Sequence, residues 1–141
     1  MEKWILYAIL SMIFAGITSV VAKSGMDNLN SDTALAVRTT VVLLLVAANA
    51  FLFRNAFSEL QHITGRNLLM LAVSGVCTTL SWIFYYRAMK LGPVSYVASI
   101  DKASIVITLL LSFIFLKEPL TAKVLAGAAF ILTGMLILVW K

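Results

Sequence analysis

Five runs of apolar residues, each long enough to cross a hydrocarbon core of about 30 Å as a helix, limit what this chain can become. They extend from Trp4 to Ala22, Thr33 to Phe53, Asn67 to Tyr86, Pro93 to Leu116 and Ala122 to Trp140. A transmembrane β-barrel needs segments of about ten residues that alternate in hydrophobicity. These runs are instead continuous and rich in Leu, Ala, Ile and Val. The expected fold is an all-α integral membrane protein, one domain over residues 1–141 built as a bundle of five transmembrane helices.

Composition agrees. Hydrophobic residues make up 62% of the chain and charged residues 12%, against about 45–50% and about 25% in ordinary soluble domains. With no aqueous domain beside the spans, the net charge of +5 points to topology and not to nucleic acid, because Lys and Arg in membrane proteins mostly sit in loops and set orientation. Cys77 is the only cysteine and His62 the only histidine, so neither an intrachain disulfide nor a thiolate metal site is expected. No cofactor is expected either.

The connectors carry helix-breaking chemistry: Ser24-Gly25 and Asp27-Asn28, the charged stretch from Arg54 to Arg66, Leu91-Gly92-Pro93, and Lys117-Glu118-Pro119. Glycine at 92 can end the third span and proline at 93 suits the first turn of the fourth, which predicts a tight antiparallel hairpin of those two spans. The first run exceeds the usual 7–15-residue core of a signal peptide, and Glu2 offsets Lys3. It is read as a span.

Five spans put the termini on opposite faces. The face of the N-terminus then receives Lys3, Arg54, Arg66, Lys117 and Lys123, and the other receives Lys23, Arg87, Lys90 and Lys141. Five against four is almost no bias, which permits insertion both ways up, although a few well-placed charges also suffice for a single orientation.

Arg38, Asp101 and Lys102 fall within the predicted spans, where a charge at the helix centre costs about 2.5–3.5 kcal/mol on insertion scales. Asp101 lies eight residues after Pro93, about 12 Å along a helix and close to mid-membrane. Arg38 is nearer its helix start, within reach of the interface by snorkelling. These charges are either a coupling or gating site or an ion pair that fixes span packing.

Small polar residues recur at helical spacing, Ser74, Thr78, Ser81 and Tyr85 in the third run and Asp101, Ser104, Thr108 and Ser112 in the fourth. They fit close helix contact or the lining of an aqueous cavity. Trp82, Tyr85, Tyr86 and Tyr96 gather near the third turn, as an interfacial aromatic belt or as a substrate-stacking box. In the fifth run Ala122, Ala126, Ala129 and Thr133 form a stripe, with Gly127 and Gly134 seven residues apart. That face is a packing surface, intersubunit or internal.

Taken in order, these motifs resemble the EamA-like domain of the drug/metabolite transporter superfamily. The match is clearest in Leu116-Lys117-Glu118-Pro119-Leu120 and in Gly127-Ala128-Ala129-Phe130-Ile131-Leu132-Thr133-Gly134. Tyr85-Tyr86-Arg87-Ala88 with Leu91-Gly92-Pro93 looks like the family's third-to-fourth span turn, and Arg38 resembles the arginine early in its second span. Lys117 stands where many members have glycine, a difference expected to matter little.

The resemblance implies a secondary transporter, half of a ten-helix fold of two inverted five-span repeats, moving a small organic metabolite or drug-like solute by alternating access. It implies a dimer, either a homodimer that is antiparallel or a pairing with a second five-span subunit, in a prokaryotic cytoplasmic membrane. Arg38, Asp101 and Lys102 are then candidate gating or coupling charges, and Ser81, Trp82, Tyr85, Ser99 and Thr108 candidate cavity lining. Ala126, Gly127, Ala129, Thr133 and Gly134 are the candidate dimer face. No nucleotide-binding G-x-x-x-x-G-K-[ST] loop is present, so a gradient is the expected energy source. The competing reading is a non-transporting membrane subunit that docks a larger partner. An enzyme is not expected, since the spans contain no H-E-x-x-H, nucleophile elbow or paired carboxylates.

Overall fold

The computed structural model describes residues 3–52 and 62–140. Its helices are α1 (Lys3–Ser24), α2 (Ser31–Leu52), α3 (Gly65–Leu91), α4 (Val94–Lys102), α5 (Ser104–Leu111) and α6 (Ala122–Val139), with a π-helical segment at Ser112–Leu116. There is no strand among the described residues. Five helical stretches are long and apolar enough to span a membrane: α1, α2, α3, the run Val94–Leu116, and α6. Most of their large apolar side chains are exposed, as expected of helices whose solvent is lipid. The expected connector from Arg54 to Arg66 lies outside the described residues up to position 61, and His62 is exposed.

Helix starts follow side-chain capping. The Asn30 Oδ1 accepts from the Asp32 amide (3.3 Å), the Thr64 Oγ1 from the Asn67 amide (3.3 Å) and the Thr121 Oγ1 from the Val124 amide (3.3 Å). Each satisfies an amide that the first turn leaves without a partner. The third span extends to Leu91 and not to Tyr86, because Arg87 and Lys90 do not terminate it but find partners while still helical. Gly92 does not adopt the left-handed conformation expected of a capping glycine. The helix stops because the extended Pro93 (φ −64°, ψ 135°) follows it.

The chain divides into two compact units, residues 1–90 and 91–141. In the first, the buried residues Met26, Ser31, Leu35, Tyr86 and Met89 gather where α1 ends, α2 begins and α3 finishes. In the second, α4 packs on α6. The fourth span is not one continuous α-helix. Ala103 donates to Ile100 O (2.9 Å) and Val106 to Ala103 O (3.0 Å), both i→i−3 bonds that tighten the helix directly after the Asp101–Lys102 pair.

The fourth span then widens into π-helical geometry and closes on Lys117, the one non-glycine residue of positive φ among those described (φ 57°, ψ 29°). Ser112 O accepts from the Glu118 amide (3.3 Å) as well as from the Lys117 amide. A side chain in this left-handed conformation costs about 1–2 kcal/mol, a penalty glycine does not carry. The difference at Lys117 therefore has an energetic consequence. Lys117→Gly is expected to stabilise the protein by about 1 kcal/mol, read as a higher denaturation midpoint in detergent; an unchanged midpoint would count against the strain.

Candidate functional site

The first unit holds a cavity of about 390 Å³ lined by α1, the α1–α2 connector, α2 and α3. Ile17, Val21, Ala22, Leu29, Ala34 and Val37 make most of its wall apolar, and Gly25 opens space where the connector begins. Thr18, Tyr86 and Arg38 also line it, and Arg38 is its one charged residue. The Thr18 hydroxyl already donates to Phe14 O (2.7 Å).

Arg38, near the start of α2, is partly buried against α3. Its Cζ lies 4.4 Å from the centroid of the Trp82 ring and 5.8 Å from that of Tyr86. Trp82 and Tyr86 are four residues apart on α3, so both rings project from one face. The two rings offer a surface for a cation, a contact worth about 2 kcal/mol when desolvated. Tyr86 is buried, with 3% of its surface exposed.

Guanidinium donors lie in the plane of the group, whereas ring contacts use its faces. Ring contacts of this kind do not satisfy N–H donors. Nη1 of Arg38 is buried and has no hydrogen-bond partner among the described residues. An unsatisfied buried donor costs about 1–3 kcal/mol, more for a charged group, and such an exception calls for an explanation in function.

Basic side chains join the end of α1, the start of α2 and the end of α3. Arg87 pairs with Asp32 through two hydrogen bonds, Nε to Oδ1 (3.2 Å) and Nη2 to Oδ2 (3.1 Å). Lys90 Nζ donates to Met26 O (2.7 Å) and Asp27 O (3.2 Å), and Lys23 Nζ donates to Met89 O. The two lysines thus exchange contacts, each satisfying carbonyls at or beyond the C-terminal end of the other's helix, where a positive charge is favoured. Beneath them Met26 and Met89 are essentially fully buried, at 1% and 0% exposure. The Ser19 hydroxyl and the Tyr85 hydroxyl share a hydrogen bond of 2.9 Å between α1 and α3. Tyr85→Phe is expected to cost about 0.5–1.5 kcal/mol of stability, measurable by thermal denaturation in detergent.

The other expected site residues are distributed differently. Asp101 and Lys102 belong to the second unit and pair with each other at 3.3 Å, with side chains 37% and 65% exposed. Ser99 donates to Ser95 O (2.7 Å) and Thr108 to Ser104 O (3.0 Å), back-bonds that let hydroxyls sit in an apolar helix without a cavity. Ser81 is exposed. Along α6, Ala126, Ala129 and Gly127 are exposed, Thr133 donates to Ala129 O (2.8 Å), and a Cβ added at Gly127 or Gly134 would meet nothing within 4 Å. No group of three or more metal-ligating side chains occurs among the described residues.

Sequence reasoning missed Thr18, Gly25, Lys23 and Lys90 as contributors to this region. The lysines carried a signal only in being basic residues at helix C-termini, which is a common arrangement with no partner implied.

Residues 2–140 match the EamA-like transporter family. A relative from Sinorhizobium sp., an uncharacterized transporter in the cobO 3' region, is 41% identical over 137 residues, covering 97% of this chain and 96% of that protein. The uncharacterized transporter YvbV of Bacillus subtilis (strain 168) is 27% identical over 131 residues, and the match covers 93% of this chain but 43% of YvbV. No solved structure matches. A five-span apolar chain whose family match runs almost end to end is an integral membrane transporter, and it belongs to the EamA-like transporter family.

Proposed function

We propose that the protein moves a small organic solute across a bacterial cytoplasmic membrane by alternating access, working as a dimer of five-span units. The observation that carries this reading is the cavity of the first unit, apolar but for Arg38, Thr18 and Tyr86, in a unit whose α2 and α3 ends are joined by an exposed ion pair. Both partners of the Arg87–Asp32 pair are more than half exposed, and exposed pairs contribute only about 0–1 kcal/mol. The apolar packing beneath is confined to a few residues.

Dimerisation is favoured by three features. An odd number of spans means that a second unit joined in line is inverted, which is a recurrent transporter architecture. The match to less than half of YvbV leaves length there for a second such unit. The small-residue stripe of α6, open at Gly127 and Gly134, suits close helix contact in lipid. Arg38, Trp82 and Tyr85 belong to the solute site of the first unit. Asp101 and Lys102 act as a gating or coupling pair beside the break in the fourth span, and Ser81, Ser99 and Thr108 line the path in the assembled dimer. Energy comes from a solute or ion gradient.

The test is counterflow in proteoliposomes containing only this chain, with a panel of labelled amino acids, amines and organic acids. Exchange of at least one solute is expected. No exchange of any, together with exchange once a second five-span protein is co-reconstituted, overturns the homodimer. In parallel, a cysteine at position 141 in a Cys77→Ala background is labelled in intact cells with an impermeant reagent. About half accessible from outside is expected of an antiparallel homodimer; labelling wholly from one side excludes it.

A further inference from the structure

From the geometry around Arg38 we infer that the first-unit cavity is a binding site for a monoanionic carboxylate with an apolar body. The inference rests on the reading of this cavity as part of the solute path and names the solute's chemistry. The Trp82 and Tyr86 rings hold the Arg38 guanidinium, with Cζ 4.4 and 5.8 Å from their centroids, without satisfying its N–H donors. Arg38 is the one charged residue in the cavity wall, its Nη1 has no acceptor among the described residues, and a carboxylate beside it supplies two oxygens in the geometry that a guanidinium fork matches.

Three alternatives fit less well. A water at Arg38 needs two to four polar partners, and the remaining lining is apolar except for the Tyr86 hydroxyl and Thr18, whose hydroxyl donates to Phe14 O. A cationic solute is repelled by the one charge in the wall. A phosphomonoester dianion leaves an uncompensated negative charge, since Arg38 is the only cation lining the cavity.

The rest of the cavity sets the other half of the solute. Ile17, Val21, Leu29 and Val37 offer apolar contact but no donors that would recognise a second polar group. A volume of about 390 Å³ lies at the small end of the ~300–1,000 Å³ range of small-molecule sites. A short aliphatic or monocyclic aromatic acid satisfies charge, volume and polarity together. A phosphodiester lipid headgroup is also a monoanion with an apolar body, so the experiment must separate the two sources.

The full chain carrying Trp4→Phe and Trp140→Phe retains Trp82 as its only tryptophan. It is placed in nanodiscs of zwitterionic phosphatidylcholine and titrated, at constant ionic strength, with benzoate and hexanoate, with their uncharged amides, and with benzylamine. Saturable change in Trp82 emission is expected for the acids alone. Arg38→Lys keeps the charge but loses the fork, and weakens the acids by about tenfold; Arg38→Gln abolishes the response. Should Arg38→Gln fail to fold, Arg38→Lys decides.

Equal response to acids and amides, acid binding unchanged in Arg38→Lys, or no response to either acid overturns the inference. Phosphatidylglycerol that itself produces the emission change and displaces the acids identifies the occupant as a lipid headgroup, and overturns it as well. Acid binding without counterflow would defeat the transport reading and leave this inference standing. Counterflow of some other solute without acid binding would do the reverse.

Discussion

Tethering position 32 to position 87 is expected to stop solute exchange, lowering its rate more than about tenfold, and cleaving the tether is expected to restore it. The experiment uses Asp32→Cys and Arg87→Cys in a Cys77→Ala background, because Cys77 is an exposed free thiol, and a short reducible bis-thiosulfonate. In the native protein the carboxylate and guanidinium of these residues meet at 3.1 Å and join the start of α2 to the end of α3. The pair contributes only about 0–1 kcal/mol, and the lysine-to-carbonyl bonds about 1.5–3 kcal/mol each. Together they amount to about 5–10 kcal/mol, a barrier crossed thermally in well under a millisecond. A covalent tether adds a barrier those contacts do not provide, so α2 and α3 are held together at that end.

Without crosslinker the double-cysteine protein should exchange solute at near the native rate, since losing the pair only favours opening. The reversed pair, Asp32→Arg with Arg87→Asp, should behave likewise. Full exchange in the tethered protein would show that this end does not open during transport.

Arg38→Met is expected to move stability and transport in opposite directions: a gain of about 1 kcal/mol in stability and a loss of more than about tenfold in exchange. Methionine keeps much of the volume of the arginine stem and can pack against Trp82 and Tyr86. The substitution gives up a cation–π contact of about 2 kcal/mol. It also removes the unsatisfied buried Nη1, at about 1–3 kcal/mol or more for a charged donor, and the general cost of carrying a charge into the membrane. The balance favours methionine. Thermal unfolding in detergent and counterflow in liposomes check the two halves separately, and a loss of both together would mean that Arg38 serves packing alone.

Periodicity and hydropathy were enough to place the spans, because a membrane admits only segments that satisfy their own backbone hydrogen bonds. They were less reliable at the ends. Arg87 and Lys90 read as a stop, yet α3 continues through both, since their partners lie on the α1–α2 connector and at the start of α2 and are invisible to a local window. The break at Ala103 and the π-helical turn at Ser112–Leu116 left no mark in composition, because both consist of altered backbone bonding within residues that are ordinary helix formers.

Arg38 shows the same division within one residue. That a charge stood inside a span, and was therefore a functional candidate, followed from the sequence alone through the cost of burying it. The aromatic cluster was legible too, but the sequence pointed to Trp82 and Tyr85 as lining, whereas Tyr86 is the one beside Arg38 and in the cavity wall. What joined them was tertiary structure, which brought residues more than forty positions apart to within 4.4 Å, left Nη1 without an acceptor and opened an apolar cavity beside it. Burial cost is a property of one residue and can be read along the chain. A binding geometry is a relation among residues on α1, α2 and α3, and only the packing of those helices decides it.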